Sequence, residues 1–104
     1  MSRGNYNFRS DSEHFTYKSI ISIMVNALLT STSLDSVDLT KIDICPSQVE
    51  AILEELGWYR VEHNQDRYTK WEYFENDEYP NKFMSLIIDF DTFSIALDIL
   101  DKEE

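Results

Sequence analysis

The chain carries one thiol, two imidazoles and a large surplus of carboxylates, so acids dominate the chemistry open to it. Cys45 could serve as a nucleophile only if a base or a helix N-terminus lowered its pKa. It precedes Pro46, near the start of an expected helix, but neither His14 nor His63 stands in a motif that would bring an imidazole to it. A structural cysteine, buried or half-buried, is the expectation. Oxygen ligands for a hard cation occur at Asp89 and Asp91, and at Glu75, Asp77 and Glu78, without the loop spacing of an EF-hand. Two histidines and one cysteine do not make a zinc site. The two glycines, Gly4 and Gly57, stand alone, so nothing resembles a phosphate-cradling loop. A carboxyl pair acting as acid and base needs a cleft that drives its two pKa values apart, and no spacing in this sequence specifies one. The expectation is a protein that is not an enzyme and takes no cofactor or metal.

Recognition remains. Between Trp58 and Tyr79, large rings alternate with acids. Trp58, Tyr59, Tyr68 and Tyr79 are interleaved with Glu62, Asp66, Glu72, Glu75, Asp77 and Glu78, and these ten residues form the expected partner-binding set. Tyr and Trp offer large contact area at low entropic cost. Trp71 and Tyr73 read instead as sheet core. The chain has 20 acids against 9 bases, a formal net charge of −11. Nucleic-acid affinity comes largely from neutralising phosphates, so this balance disfavours direct binding of DNA or RNA. The same field would speed encounter with a basic protein. Acidity also serves solubility, whatever the partner.

The elements that must position these residues follow from periodicity. At 104 residues the chain is long enough for one domain. Residues 1–9 lack a pattern and read as a flexible tail, leaving residues 10–104 as one compact α+β domain. Ser10-Asp11-Ser12-Glu13 fits a capping box, followed by helical spacing through Tyr17, Ile20, Ile21, Met24 and Leu28. This helix is apolar nearly all round and is expected at the centre of the core. Val37 to Ile44 is ambiguous between strand and helix. Ser47 and Glu50 suggest a second box, with Pro46 just outside the helix. Val49, Ile52, Leu53 and Leu56 form its stripe, and Gly57 suits the left-handed residue that ends it. Period two then gives strands over Trp58–His63, Tyr68–Glu75 and Lys82–Phe90. In the last of these Met84, Leu86, Ile88 and Phe90 face inward, and Ile87 opposite them suggests cover on both sides. Asp91 could cap a final helix with Phe93, Ala96, Leu97 and Leu100 as its stripe and Asp101, Glu103 and Glu104 in its last turn. The predicted fold is a three-stranded antiparallel sheet packed by about three helices, in the order α-α-β-β-β-α.

Helix, Leu56-Gly57-Trp58 and hairpin, from Cys45 to Phe74, resemble the recognition helix and wing of winged-helix domains, which makes a winged-helix-like arrangement the alternative. That resemblance implies a nucleic-acid-binding regulator with a basic helix face. Here that face carries Glu50, Glu54 and Glu55, while Arg60, Arg67 and Lys70 give only a small basic spot. The order of elements is also similar to the compact αβββα domains of HicA-type toxins. Their Gly-Ser-His motif is absent, Glu62-His63-Asn64 does not match it, and no activity carries over. In size and charge alone, the chain resembles bacteriocin-type immunity proteins, phage anti-restriction proteins and anti-CRISPRs. The expected function is thus an acidic inhibitor or regulator of a basic, nucleic-acid-handling protein, with a subunit role in a larger assembly as a further alternative. A homodimer is compatible with the apolar first helix. With a single cysteine and a polar N-terminus, a cytoplasmic, reducing setting is expected.

Overall fold

The computed structural model describes residues 2–31 and 33–102, with side chains from residue 13 onward. It runs α1 (Ser2–Thr30), β1 (Ser36–Asp38), a 3-10 turn (Thr40–Ile42), α2 (Pro46–Glu55), β2 (Tyr59–Gln65), β3 (Thr69–Glu75), β4 (Lys82–Asp89) and β5 (Ser94–Asp101). The strands form one sheet in the order β1-β5-β4-β3-β2, antiparallel at every pairing. Strands β2 to β5 are therefore a meander, and β1 closes its far edge. Five strands and two α-helices replace the expected three strands and three helices, and the winged-helix alternative falls with them. The α+β class stands.

The first helix is already formed at Ser2, with no proline to stop it, so Ser10 lies inside it rather than at its start. The Ser10 side chain lies outside the described residues. Ile21, Val25 and Leu28 are buried, while Ile23 is 71% exposed, so α1 buries one face and does not sit centrally. The second helix begins two residues earlier than the Ser47–Glu50 box implied. Cys45 is its N-cap, Pro46 holds the first helical position, and the Cys45 N–H donates to Gln48 Oε1 at 3.1 Å. Cys45 is exposed, not buried. The stripe is as expected: Val49, Ile52 and Leu53 have no exposed surface.

The largest correction concerns the C-terminal segment. Phe93, Ala96, Leu97 and Leu100 fit a helical stripe, but Ile95, Leu97 and Ile99 fit a strand equally well. Pairing with β4 decides in favour of the strand, placing Leu97 opposite Leu86 and Ile95 opposite Ile88. Asp89, not Asp91, organises the preceding turn, its Oδ1 accepting the N–H groups of Asp91 and Thr92. Phe93 ends that turn at φ 58°, 80% exposed. Glu103 and Glu104, expected in the last turn of that helix, lie outside the described residues. Val37 to Ile44 divides into β1 and the 3-10 turn, which explains why its two apolar pairs are out of phase.

One core joins both helices to one face of the sheet. Ile21, Val25 and Leu28 of α1 and Val49, Ile52 and Leu53 of α2 pack with Phe74, Met84, Leu86, Ile88 and Leu97. Gly57, at φ 96°, turns the chain from α2 into β2, and a Cβ there would lie 3.1 Å from Asn76 Nδ2. Asn76 is itself buried and donates to the Leu56 carbonyl at 3.3 Å. Gly57→Ala is expected to destabilise the fold by about 1–2 kcal/mol through left-handed strain and displacement of Asn76. Urea unfolding checks this; an unchanged midpoint would contradict it.

Candidate functional site

Alternation along the strands sends every second side chain away from the helices. Register then assembles two rows across the uncovered face. Asn64, Trp71, Ile87, Ala96 and Asp38 are successive neighbours, and so are Glu62, Tyr73, Ser85, Asp98 and Ser36. Phe83 lies opposite Leu100 in the adjoining row. Trp71, Tyr73, Phe83 and Ile87 are half-buried, and Leu100 is exposed. Ser85 is only 3% exposed among these larger neighbours. The face is thus an aromatic and aliphatic centre with carboxylates at its margins. Trp71 and Tyr73, expected as core, lie on this open face, and among the described residues no second layer covers Ile87.

The expected contact residues separate into distinct places. Trp58 is 1% exposed and stacks in parallel on Tyr79, ring centroids 5.9 Å apart, so it supports the surface from within. Tyr59 and Tyr79 are exposed; the Tyr59 hydroxyl donates to Asp77 Oδ1 at 3.1 Å, and that carboxylate pushes the phenol pKa up. Asp77 and Glu78 are exposed in the turn after β3. These four form a patch at the base of the hairpin. Asp66 and Tyr68 lie at its tip, about 20 Å away along seven-residue strands. Asp66 caps the turn, accepting from the Tyr68 and Thr69 N–H groups, and Arg67 lies 6.0 Å from the Tyr68 ring. Glu62 is exposed on the open face. Glu75 is half-buried and accepts from Lys102 Nζ at 2.8 Å, while Lys102 also lies 4.9 Å over the Phe83 ring.

Glu72, like Trp58, is an expected contact residue that the fold turns into the interior. It is fully buried on the helix-facing side of β3. Arg60 Nη1 donates to its Oε2 at 2.6 Å, and Lys70 Nζ lies 3.7 Å from the same oxygen. Burial pushes the Glu72 carboxyl up, but hydrogen bonds to Glu50 and Arg60, with Lys70 beside them, hold it below the ordinary carboxylate range. Arg60 is held above its ordinary value in return, chiefly by the bond to Glu72. Above this cluster a cleft of about 330 Å³ is lined by Glu50, Glu54, Tyr59, Arg60 and Phe74. The inward pattern Lys70, Glu72, Phe74 was the sequence signal for it, since acid and base stand where a core strand has apolar residues.

Among the described residues, no group of three His, Cys, Asp or Glu side chains is placed to hold a metal ion. Among them too, no helix is long and apolar enough to cross a membrane. Comparison with family descriptions, curated proteins and solved structures finds no match.

Removing Arg60 leaves a buried carboxylate with Lys70 as its remaining cation. Arg60→Ala is expected to destabilise the protein, by less than the usual cost of breaking a buried pair because Arg60 is itself half exposed. Denaturant unfolding of this variant and of Arg60→Lys, which keeps a cation and should lose less, checks the assignment.

Proposed function

We propose that this chain is a small acidic inhibitor or regulator, with no catalysis of its own, that binds a basic, nucleic-acid-handling protein and occupies its site. The observation that carries this reading is the uncovered sheet face. There Trp71, Tyr73, Phe83 and Ile87 form an apolar centre, flanked in the same rows by Glu62, Asp98 and Asp38. An aromatic centre within a polar margin is the anatomy of a protein interface. None of those three acids is in an ion pair among the described residues, whereas Lys18, Arg60, Lys70, Lys82 and Lys102 are each engaged by an acid. The negative potential at the margin therefore faces outward and selects a cationic partner. A second copy of the chain would bring like charge to like charge.

The patch of Tyr59, Asp77, Glu78 and Tyr79 extends the surface around the hairpin base, and Asp66 and Tyr68 extend it at the tip. Trp58 and Glu72 act from beneath. The free edge of β2 is a poorer site for strand addition, because a bulge between Arg60 and Glu62 and its charged side chains interrupt a regular ladder. A cytoplasmic setting and an immunity, anti-restriction or anti-CRISPR type of role accord with this acidic surface and the free thiol of Cys45.

The test is co-purification from the native host, followed by calorimetry with the recovered protein. Wild-type affinity should fall as salt rises. The combined reversal Glu62→Lys, Asp77→Lys, Glu78→Lys and Asp98→Lys should weaken binding about tenfold or more, with an unchanged circular dichroism spectrum. Affinity unmoved by the reversal, or recovery of nucleic acid in place of a protein, would overturn the reading.

A further inference from the structure

Both cations that reach Glu72 address the same oxygen. Arg60 and Lys70 approach Oε2, while Oε1 is buried and has no hydrogen-bond partner among the described residues. A buried carboxylate oxygen without a donor is strongly destabilising. Glu50, on α2, reaches the same cluster: its Oε2 is 4.0 Å from the Lys70 Nζ that lies 3.7 Å from Glu72 Oε2, which sets its carboxyl against that of Glu72. A carboxylate only accepts, so two carboxyl groups make such a contact by sharing a proton.

We propose that Glu50 and Glu72 form a proton-sharing carboxyl pair that latches α2 to β3, making the docking of this helix on the sheet sensitive to pH.

The charges around the pair assign the proton. Glu54, one turn along α2, lines the same cleft. Arg60 approaches from β2, where His63 is the register neighbour of Glu72, and Lys70 lies on β3 itself. Arg60 and Lys70 are two cations among the three acids of this cluster, so one carboxyl is left without a cation of its own. Within the pair that is Glu50, which lies farther from Lys70 than Glu72 does. Glu72, gripped by Arg60, stays ionised. Glu50 is pushed up to about 7, first by its hydrogen bond to Glu72, then by burial and by the Glu72 charge, with Lys70 and Arg60 pulling the other way. The cleft gives this proton a route to water.

The sign follows from the raised value. Between the ordinary 4.5 and about 7, the folded protein holds a proton on Glu50 that the unfolded chain has lost. The stability this adds is complete below the ordinary value and disappears as pH rises through about 7. Glu72 has the opposite sign and a lower window, since its lowered carboxyl loses its contribution only as pH falls through its own folded value.

Glu50→Gln separates the latch from general acid effects, because its amide can donate to Glu72 and has no proton to lose. The wild-type unfolding free energy should fall from about pH 5 to about pH 8, whereas that of Glu50→Gln should be level there and higher than wild type at the upper end. Carboxyl-carbon NMR should show Glu50 titrating near 7. In Glu72→Gln, if it folds, that midpoint should drop. A wild-type curve that is flat over this range, a slope that survives Glu50→Gln, or a Glu50 midpoint near its ordinary value would each overturn the proposal.

Discussion

Two helices cannot cover both faces of a five-stranded sheet, and most of what distinguishes this molecule follows from that shortage. Among the described residues, the buried apolar side chains of α1 and α2 pack with Phe74, Met84, Leu86, Ile88 and Leu97, and no second layer covers the outer face. A strand at the centre of such a sheet, as β4 is, would ordinarily show apolar residues on one side and polar residues on the other. Here the outer positions hold Phe83 and Ile87, and those of β3 hold Trp71 and Tyr73. The fold keeps rings on a surface that its own helices do not reach, which is a structural reason to look for an external partner at that face.

Periodicity revealed those parts of the structure whose partners are close in sequence. In α2 the stripe Val49, Ile52, Leu53 and the stop at Gly57 are local facts, and both appear as read. The hairpin and β4 are nearly as local. The last segment was not legible, because Leu97 belongs to both candidate stripes and its distance along the chain from β1 and α1 hides what it packs on. Hydrogen bonding to β4 on one side and β1 on the other settles the matter. For the contact surface, the sequence identifies a region rich in rings and acids but not which face each residue takes. The bulge between Arg60 and Glu62 shifts the alternation of β2 against β3, and Glu62 pairs with Tyr73 as a result. That local irregularity brings an acid to the open face, and no pattern in the residue types announces it.

The buried carboxylate of Glu72 plays a different part from the acids outside. An inward acid is tolerable only with donors in place, and its donors come from two strands: Arg60 on β2 and Lys70 on β3 itself. Slipping β2 by one residue would turn Arg60 to the opposite face and leave Glu72 short of its main partner. The pair therefore favours one register for an edge strand that has no buried side chain of its own to define it. Glu50 ties the same carboxylate to α2, so one interior charge connects an edge strand, its neighbour and a helix.

This division of labour also shapes the electrostatic surface. Arg60 and Lys70 are turned toward Glu72 and Glu50, Lys82 toward Asp101, Lys102 toward Glu75, and Lys18 toward Glu55. A chain with nine bases among twenty acids thus commits most of its described cations to fixed intramolecular partners. Asp38, Glu62, Asp77, Glu78 and Asp98 are in no ion pair among the described residues; Asp38, Glu62 and Asp98 lie on the face that the helices leave bare, and Asp77 and Glu78 in the turn after β3. Had the cations been spread among these acids, the open face would be nearly neutral and its rings would invite self-association. Of these cations only Lys102, bound to Glu75, lies over one of the open-face rings, that of Phe83, so the acids beside Trp71 and Tyr73 keep their charge uncompensated, which opposes pairing between copies.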